Sequence, residues 1–181
     1  MVNLDRALVV GFCYRHSLMA SAMDWVEKHF TKERQFLESW DELDIVCARN
    51  AAIDDYVLPA AAKDKTLEWA ILIDNDVTIS HPGIENFLRL DGDLIACECK
   101  CRNSGAWESL SAFHLNLAAV RIEVFRRVSP PWFLIEYDEK AKRIVTCECR
   151  HFARRAVAAG FKVVHGGYCG HNPEGKWHCP S

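Results

Sequence analysis

The sequence predicts an α/β protein in which helices flank a mostly parallel central sheet. Short apolar runs alternate along the chain with segments whose apolar residues recur every three or four positions. The clearest run, Trp69 to Ile73, has five apolar residues and ends abruptly in polar and acidic ones. An order of strand, helix and strand is typical of parallel sheets that helices cover.

Length and charge narrow the classes of protein to be considered. The 181 residues contain no repeat or linker, so we expect one domain over 1–181. Lys and Arg number 22 against 25 Asp and Glu, a formal net charge of −3, and no basic run indicates nucleic-acid binding. No apolar run reaches the roughly 18 residues of a membrane span. The first residues do not resemble a secretory signal, so we expect a cytoplasmic protein.

In the first half, Ala7 to Phe12 is predicted to be a buried strand that leads into a polar loop. A helix is predicted after Ser17, because apolar residues through Phe30 repeat at spacings of three and four. We expect a second short strand at 44–47 and a helix at 48–58.

The second half is predicted to continue the same alternation. The expected elements, in chain order, are a helix over 84–90, a strand over 93–101, a strand over 115–120, a flexible loop over 136–146, a helix over 149–159 that ends at Gly160, and a last short strand over 161–164.

The tripeptide Asp74-Asn75-Asp76 follows the central strand directly. Ligands of parallel sheets bind at the carboxyl ends of the strands. Carboxylate oxygens suit Mg²⁺ or Mn²⁺, which are usually held by one or two carboxylates together with substrate phosphates. The alternative is that both acids are solvated loop residues.

His171, just beyond the last predicted strand, is a second candidate metal ligand. An imidazole beside a carboxylate would favour Mn²⁺ over Mg²⁺. The alternative is a surface histidine or one whose hydrogen bonds are satisfied locally. Spacing along the chain does not by itself bring His171 to Asp76.

The order and spacing of several short segments indicate a protein family. The segments are Val9-Val10-Gly11-Phe12-Cys13-Tyr14, Ala48-Arg49-Asn50-Ala51-Ala52, Trp69 to Asp76, Val120-Arg121-Ile122-Glu123-Val124-Phe125, Pro131-Trp132-Phe133, Cys147-Glu148-Cys149-Arg150-His151-Phe152, Ala159-Gly160-Phe161-Lys162-Val163, and Cys169-Gly170-His171. Together they resemble the family 2-like glycosyltransferases with the GT-A fold, a nucleotide-binding sandwich. The resemblance covers most of the chain.

The resemblance implies inverting transfer of a sugar from a nucleoside diphosphate sugar to an acceptor hydroxyl. The donor sugar and its base are open, and uridine or guanosine diphosphate sugars suit the resemblance. It implies that Asp76 and His171 hold Mn²⁺ or Mg²⁺, and that Asp74 positions the ribose or a metal-bound water. The implied nucleotide-binding residues are Tyr14, Arg15, Arg49, Asn50, Asp74 and Asn75. Tyr14 as a packed aromatic and Arg49 as a solvated helix residue are the alternatives.

One position departs from the family pattern, which has Glu-Asp where this chain has Glu148-Cys149. In the family the second acid commonly serves as the base toward the acceptor. A thiol with the usual pKa of about 8.5 is a poor substitute. We expect Glu148 to act as the base. An acid among Glu136, Asp138 and Glu139 could replace it, or transfer could be weak or absent.

Nine cysteines leave a third interpretation open. Cys97, Cys99 and Cys101 fall on one face of a predicted strand, where they are expected to be buried free thiols. The rival is a zinc site with Cys147, Cys149 or the tail residues His178 and Cys179.

Three other function classes are alternatives to a glycosyltransferase. A non-catalytic module that binds sugar nucleotides or glycans is one, and a Cys/His zinc-binding protein is another. A nucleotidyltransferase is disfavoured because it normally needs a Gly-rich phosphate loop near the N-terminus, and Gly11-Phe12-Cys13-Tyr14-Arg15 supplies only one glycine. The short chain leaves little room for an acceptor subdomain, so a homo-oligomer is a further expectation.

Overall fold

A computed structural model describes residues 1–13, 18, 20–39, 44–99 and 114–171. The strands are β1 Ala7–Cys13, β2 Gln35–Ser39, β3 Trp69–Asp74, β4 Val77–Thr78, β5 Leu94–Cys99, β6 Leu117–Arg121, β7 Glu136–Asp138, β8 Arg143–Thr146 and β9 Val163–His171. The helices are α1 Ala20–His29, α2 Ile45–Ala52, α3 Leu58–Lys63, α4 His81–Arg89, α5 Ile122–Arg127 and α6 Glu148–Ala158. A π-helical stretch, Ile53–Val57, joins α2 to α3.

The central sheet has the strand order β2-β1-β3-β6-β5-β9-β4. Strands β1, β2 and β3 pair in parallel, as do β5 and β9, whereas β6 is antiparallel to both β3 and β5. Strand β4 is antiparallel to β9. Five of the seven strands in the described sheet therefore run in one direction. The prediction of an α/β fold with a mostly parallel sheet and flanking helices is confirmed.

Alternate side chains of each central strand pack on opposite faces of the sheet, because the side-chain period of a strand is two residues. In β1, Leu8, Val10 and Phe12 pack with α2, α3, α5 and α6. Ala7 and Val9 face α1 and α4 on the other side. Burial on both faces explains why the strand reads as a continuous apolar run.

The prediction of a strand at 44–47 is wrong. Asp44 is the N-cap of α2, and its side-chain Oδ1 accepts a hydrogen bond from the backbone N–H of Cys47 at 2.8 Å. The second strand is instead β2, which pairs in parallel with β1 at one edge of the sheet. Two adjacent apolar residues in β2 gave too weak a signal to predict it.

The prediction of a flexible loop over 136–146 is also wrong, because β7 and β8 form an antiparallel hairpin there. The Asp138 carboxylate accepts hydrogen bonds from the backbone N–H groups of Lys140 and Ala141, at 2.9 and 3.0 Å, and so holds the turn. Lys142 in that turn has a φ of 52°. Within the described residues, no helix combines the length and the apolar character of a membrane span.

Candidate active site

The acidic tripeptide lies where β3 ends. Asp74 is the last residue of β3, and Asn75 and Asp76 form the turn into β4. All three residues are partly buried rather than fully exposed. The backbone N–H of Asp74 donates to the carbonyl of Asn116 at 2.8 Å, which fixes the end of the strand. The interpretation of both acids as solvated loop residues does not fit this placement.

The last strand returns to the same place. Strand β9 is longer than the predicted strand at 161–164, and its end pairs with β4, with Val77 opposite His171 and Thr78 opposite Gly170. Opposed residues of an antiparallel pair have Cα atoms about 4.5–5.5 Å apart. The backbone at Asp76 is therefore a neighbour of the backbone at His171. The side chain of His171 lies outside the described part, so its metal ligation stays a prediction.

Close contact between β4 and β9 depends on Gly170. A Cβ atom at this position would overlap the side-chain oxygen of Thr78 and come within 3.2 Å of its Cβ. Threonine is stiff at χ1, so its hydroxyl cannot simply swing away. The two strands therefore keep their spacing because residue 170 has no side chain.

Replacing Gly170 by Ala should push β4 away from β9, and overpacking of this kind costs about 1–3 kcal/mol. We expect a loss of unfolding free energy in urea together with weaker Mn²⁺ binding. The matched control is Gly170→Ala combined with Thr78→Ala, which removes the obstructing oxygen and should recover most of both losses. Wild-type stability and Mn²⁺ affinity in the single variant would show that the strand contact is not needed.

A buried arginine joins the tripeptide to the predicted catalytic acid. Arg49 Nη2 donates to Asp74 Oδ1 and Oδ2 at 2.8 and 3.0 Å. Arg49 Nη1 donates to Glu148 Oε1 at 2.8 Å and to Cys149 Sγ at 2.9 Å. The Arg49 side chain is only 3% exposed. The alternative of a solvated helix residue is therefore wrong, and Arg49 instead holds three groups from distant parts of the chain.

Burial and ion pairing shift the pKa values of Arg49 and Asp74 in opposite directions. Burial opposes the charge on Arg49, but Asp74, Cys149 and Glu148 together raise its pKa above the usual value. Burial raises the pKa of Asp74 to about 6, while the Arg49 guanidinium pulls it down. The arginine therefore stays charged, and Asp74 takes up a proton in mildly acidic solution.

The raised pKa of Asp74 predicts a specific pH dependence of stability without divalent ions. The unfolded carboxyl has a pKa of about 3.9. Between that value and about 6 the folded chain keeps a proton that the unfolded chain has lost, so the free energy of unfolding falls as pH rises. The fall is about 3 kcal/mol by pH 7.

Asp74→Asn is the control, since it removes this titration. Urea unfolding of both proteins in chelator at pH 4 and pH 7 should show the stability of wild type falling relative to that of the variant. Parallel pH profiles would contradict the prediction.

Asn116 is a site residue that the sequence did not indicate. Its Nδ2 donates to Asp74 Oδ2 at 3.3 Å, and its buried Oδ1 accepts no hydrogen bond from the described residues. Asn116 reaches Asp74 because Leu117, its neighbour in β6, pairs with Ile73. Only the antiparallel insertion of β6 beside β3 creates this contact, and no local pattern predicts it. An amide oxygen next to Asp74 is available to a ligand.

Asn50 is held by the backbone. Its Nδ2 donates to the carbonyls of Val46 and Phe133, both at 2.9 Å. Its Oδ1 accepts from the N–H groups of Trp132 and Phe133 at 2.8 and 3.1 Å. Asn50 thus fastens the segment after Pro131 to α2. A role in binding nucleotide stays a prediction, as it does for Asn75.

Glu148 is the first residue of α6 and is buried. Its Oε1 accepts a hydrogen bond from Arg49 Nη1 and lies 3.3 Å from Cys149 Sγ. Among the described residues nothing donates to Oε2. One carboxylate oxygen is thus fixed, and the other is not engaged by the described residues.

The two cysteines that flank Glu148 have pKa values shifted in opposite directions. A hydrogen bond from the Cys149 thiol lowers the pKa of Cys147 to about 6. Burial, followed by the hydrogen bond to Cys147 and the charge of Glu148, raises the pKa of Cys149 well above its usual value. Cys147 is therefore the more acidic thiol of the pair.

The cysteines of the predicted zinc site lie on opposite faces of the sheet. Cys97 packs on the α1 and α4 side of the sheet, whereas Cys147 and Cys149 pack on the opposite side. Cys97 Sγ lies 3.5 Å from the carbonyl oxygen of Gly166. The backbone of Cys99 in β5 lies opposite that of Cys169 in β9. Several predicted residues lie outside the described part, namely Tyr14, Arg15, Cys101, His178 and Cys179.

Comparison with known proteins shows the fold alone. No protein-family model matches the sequence, and no curated protein does. The crystal structure of A197 from STIV shares the fold, with a TM-score of 0.54 and 14% sequence identity over 91% of this chain and 82% of that one.

Two more distant structures have TM-scores below 0.5 and do not bear on function. One is a glycosyltransferase involved in glycosylation of the major capsid of PBCV-1, with a TM-score of 0.40 and 14% identity over 69% of this chain and 68% of that one. The other is described as a nucleotide-diphospho-sugar transferase from Desulfovibrio desulfuricans G20, with a TM-score of 0.45 and 9% identity over 94% and 82%.

Proposed function

We propose that this protein is a metal-dependent glycosyltransferase that moves a sugar from a nucleoside diphosphate sugar to an acceptor hydroxyl, with inversion. The observation that carries the proposal is the pairing of β4 with β9, with Val77 opposite His171. It puts the backbone of Asp76 beside that of His171 at the carboxyl end of β3. These are the two residues that the resemblance to family 2-like enzymes assigns to the metal.

The oxygen donors present at this edge fit a hard divalent ion. Asp74 and Asp76 supply carboxylates, and the buried amide oxygen of Asn116 accepts no hydrogen bond from the described residues. An imidazole from His171 would add the nitrogen that favours Mn²⁺. A bound Mn²⁺ or Mg²⁺ would neutralise charge on the departing nucleoside diphosphate. Asp76 and His171 would hold it, and Asp74 would position the ribose or a bound water.

Arg49 supports the proposal by fixing the distance between the two halves of the reaction. One guanidinium group binds Asp74 on the donor side and Glu148 on the acceptor side, each at 2.8 Å. A buried, bidentate arginine is well suited to hold carboxylates in set orientations. Arg49 is thus a positioning residue, and Tyr14, Arg15, Asn50 and Asn75 remain the proposed nucleoside contacts.

The proton of the acceptor hydroxyl is taken by Glu148 in this mechanism. With Oε1 held by Arg49, the open Oε2 accepts the proton as the acceptor oxygen forms its bond to the anomeric carbon. The bond from the anomeric carbon to the diphosphate oxygen breaks in the same displacement. The acids of the hairpin, which lie before Glu148 in the chain on β7 and its turn, are the alternative bases.

The direct test is a thermal-shift screen with nucleoside diphosphates and their sugars, in Mn²⁺, in Mg²⁺ and in chelator. A ligand that binds the native state alone adds about 2.7 kcal/mol of stability at a hundredfold excess over Kd. We expect a uridine or guanosine diphosphate to raise the melting temperature only with metal present. The stabilising sugar nucleotide is then incubated with candidate acceptors to detect transfer. Metal-independent shifts, or none, would contradict the proposal.

Replacing Asp76 by Asn should weaken Mn²⁺ binding by at least about 10–100-fold, the loss that removal of an outer-shell partner already causes. The metal-dependent thermal shift should disappear with it, while the metal-free melting temperature stays close to that of wild type. Mn²⁺ affinity is measured by the paramagnetic relaxation of water protons. Asp24→Asn, an exposed acid on α1, is the control and should bind Mn²⁺ normally. Unchanged binding in the Asp76 variant would remove it from the site.

A second candidate is a module that binds sugar nucleotides without turnover. The observation in its favour is Cys149, which is buried and occupies the position of the family's acid. This candidate predicts the same metal-dependent thermal shift but no transfer to any acceptor and no hydrolysis of the donor. A homo-oligomer that completes the acceptor site is also proposed, and sedimentation of the active protein tests it.

A further inference from the structure

Three side chains that the proposed reaction does not use converge beside α6. They are His114, Cys147 and Cys149, and one potential ligand atom from each lies within 4.8 Å of the other two. Both cysteines are buried and His114 is partly exposed. Among the described residues no other group of three His, Cys, Asp or Glu meets this condition. The convergence joins parts of the chain that are far apart in sequence.

Two sulfurs and an imidazole nitrogen form a donor set that suits Zn²⁺, a borderline-soft divalent ion. Zn²⁺ binds cysteine sulfur at about 2.3 Å and histidine nitrogen at about 2.0–2.1 Å in tetrahedral geometry. The ligand atoms of such a site lie roughly 3.5–3.8 Å apart. The ligand atoms lie within 4.8 Å of one another, so they need to close by about 1.3 Å at most.

Both sulfurs lie at the start of a helix, since Cys147 is the N-cap of α6 and Cys149 lies in its first turn. The backbone N–H groups there favour negative charge. Cys149 is buried and would give up its proton when the ion binds. Arg49 Nη1 donates to Cys149 Sγ at 2.9 Å. Hydrogen bonds from outer-shell groups orient metal ligands and tune the metal. The carboxylate oxygens of the tripeptide are a different kind of donor and suit a different ion.

We propose that His114, Cys147 and Cys149 form a Zn²⁺ site, separate from the proposed Mn²⁺ or Mg²⁺ site at Asp76. Three protein ligands leave the fourth position to water. Two thiolates neutralise the charge of the ion, so it can lie close to the Arg49 guanidinium. The site stands whether or not the protein transfers sugars.

The ion would also fix the start of α6. It would tie the segment before β6, through His114, to the residues on either side of Glu148. Removal of the metal should therefore loosen Glu148, and a stabilising effect of Zn²⁺ follows because the ion binds the folded chain.

Co²⁺ is the spectroscopic probe, since tetrahedral thiolate ligation gives it charge-transfer bands in the near ultraviolet and intense visible bands. The full chain is stripped with chelator under reducing conditions and titrated with Co²⁺ and then with Zn²⁺. We expect one equivalent of Co²⁺ to give these bands and Zn²⁺ to abolish them. Absence of the charge-transfer band would overturn the proposal.

Variants assign the ligands. Cys147→Ser and His114→Asn should each lower Co²⁺ affinity by at least tenfold, and Cys147→Ser should also reduce the charge-transfer intensity. Cys47→Ser, an exposed cysteine on α2, is the matched control, and Asp76→Asn separates the two metal sites. Both should keep the bands. Far-ultraviolet circular dichroism confirms folding, and His114→Asn provides a milder change should Cys147→Ser unfold. Full bands in folded His114→Asn would contradict the assignment, as would their loss in Asp76→Asn.

Discussion

Replacing Glu148 by Gln is expected to lower the rate of sugar transfer by about 10²–10⁴-fold, the usual contribution of a general base. The amide keeps the shape of the side chain and an oxygen for Arg49, which donates to Glu148 Oε1 at 2.8 Å. It cannot accept the acceptor's proton. The affinity for the donor, measured by the Mn²⁺-dependent thermal shift, should stay within twofold of wild type. The loss should therefore fall on kcat.

The hairpin acids provide the controls for this prediction. Glu136→Gln and Glu139→Gln replace exposed carboxylates of the stretch that could otherwise supply the base. Both variants should transfer at close to the wild-type rate. Full activity in Glu148→Gln, or a loss in Glu136→Gln of the size expected for Glu148, would assign the base elsewhere.

Replacing Arg49 by Met is expected to lower the free energy of unfolding by about 3–5 kcal/mol, because it leaves buried acids without their partner. Asp74 and Glu148 both lie at 2.8 Å from the guanidinium. Arg49→Lys should recover little, since one ammonium group cannot reproduce two contacts to Asp74 together with one to Glu148. Urea unfolding at pH 7 measures the loss.

The control for the arginine prediction neutralises the acids. Adding Asp74→Asn and Glu148→Gln to Arg49→Met removes the unpaired charges and should restore a large part of the lost stability. If Arg49→Met alone stays within about 0.5 kcal/mol of wild type, the ion-pair network does not stabilise the fold.

The central strands were predictable because their burial in the fold matches the apolar pattern of their sequence. Strands β1 and β3 are buried on both faces, so each appears in the sequence as an unbroken apolar run. The helix α6 was equally clear, since its apolar face repeats regularly and Gly160, with a φ of 87°, ends it.

The predictions of secondary structure were wrong where one local feature, a helix cap or a turn, determines the element. At 44–47 an apolar pair suggested a strand, but the cap formed by Asp44 starts a helix. Over 136–146 exposed polar residues suggested a loop, but backbone pairing and the turn at Asp138 make a hairpin. Pairing partners of edge strands and hairpins cannot be read from the polarity of one segment.

The candidate site was predictable in part for the same reason. The tripeptide stood out because acids follow a buried strand, and the relation of Arg49 and Glu148 to it came from resemblance. Asn116, beside Asp74, and His114, beside Cys147 and Cys149, were missed because both lie just before β6, which is antiparallel to β3. No periodicity in the sequence indicates which strand lies beside β3.

Anomalous X-ray scattering from crystals of the protein with Mn²⁺ and a stabilising nucleoside diphosphate tests the central proposal most directly. We expect an anomalous peak between a carboxylate oxygen of Asp76 and the imidazole of His171, with diphosphate oxygens completing the coordination. An ordered nucleotide whose Mn²⁺ touches neither Asp76 nor His171 would contradict it.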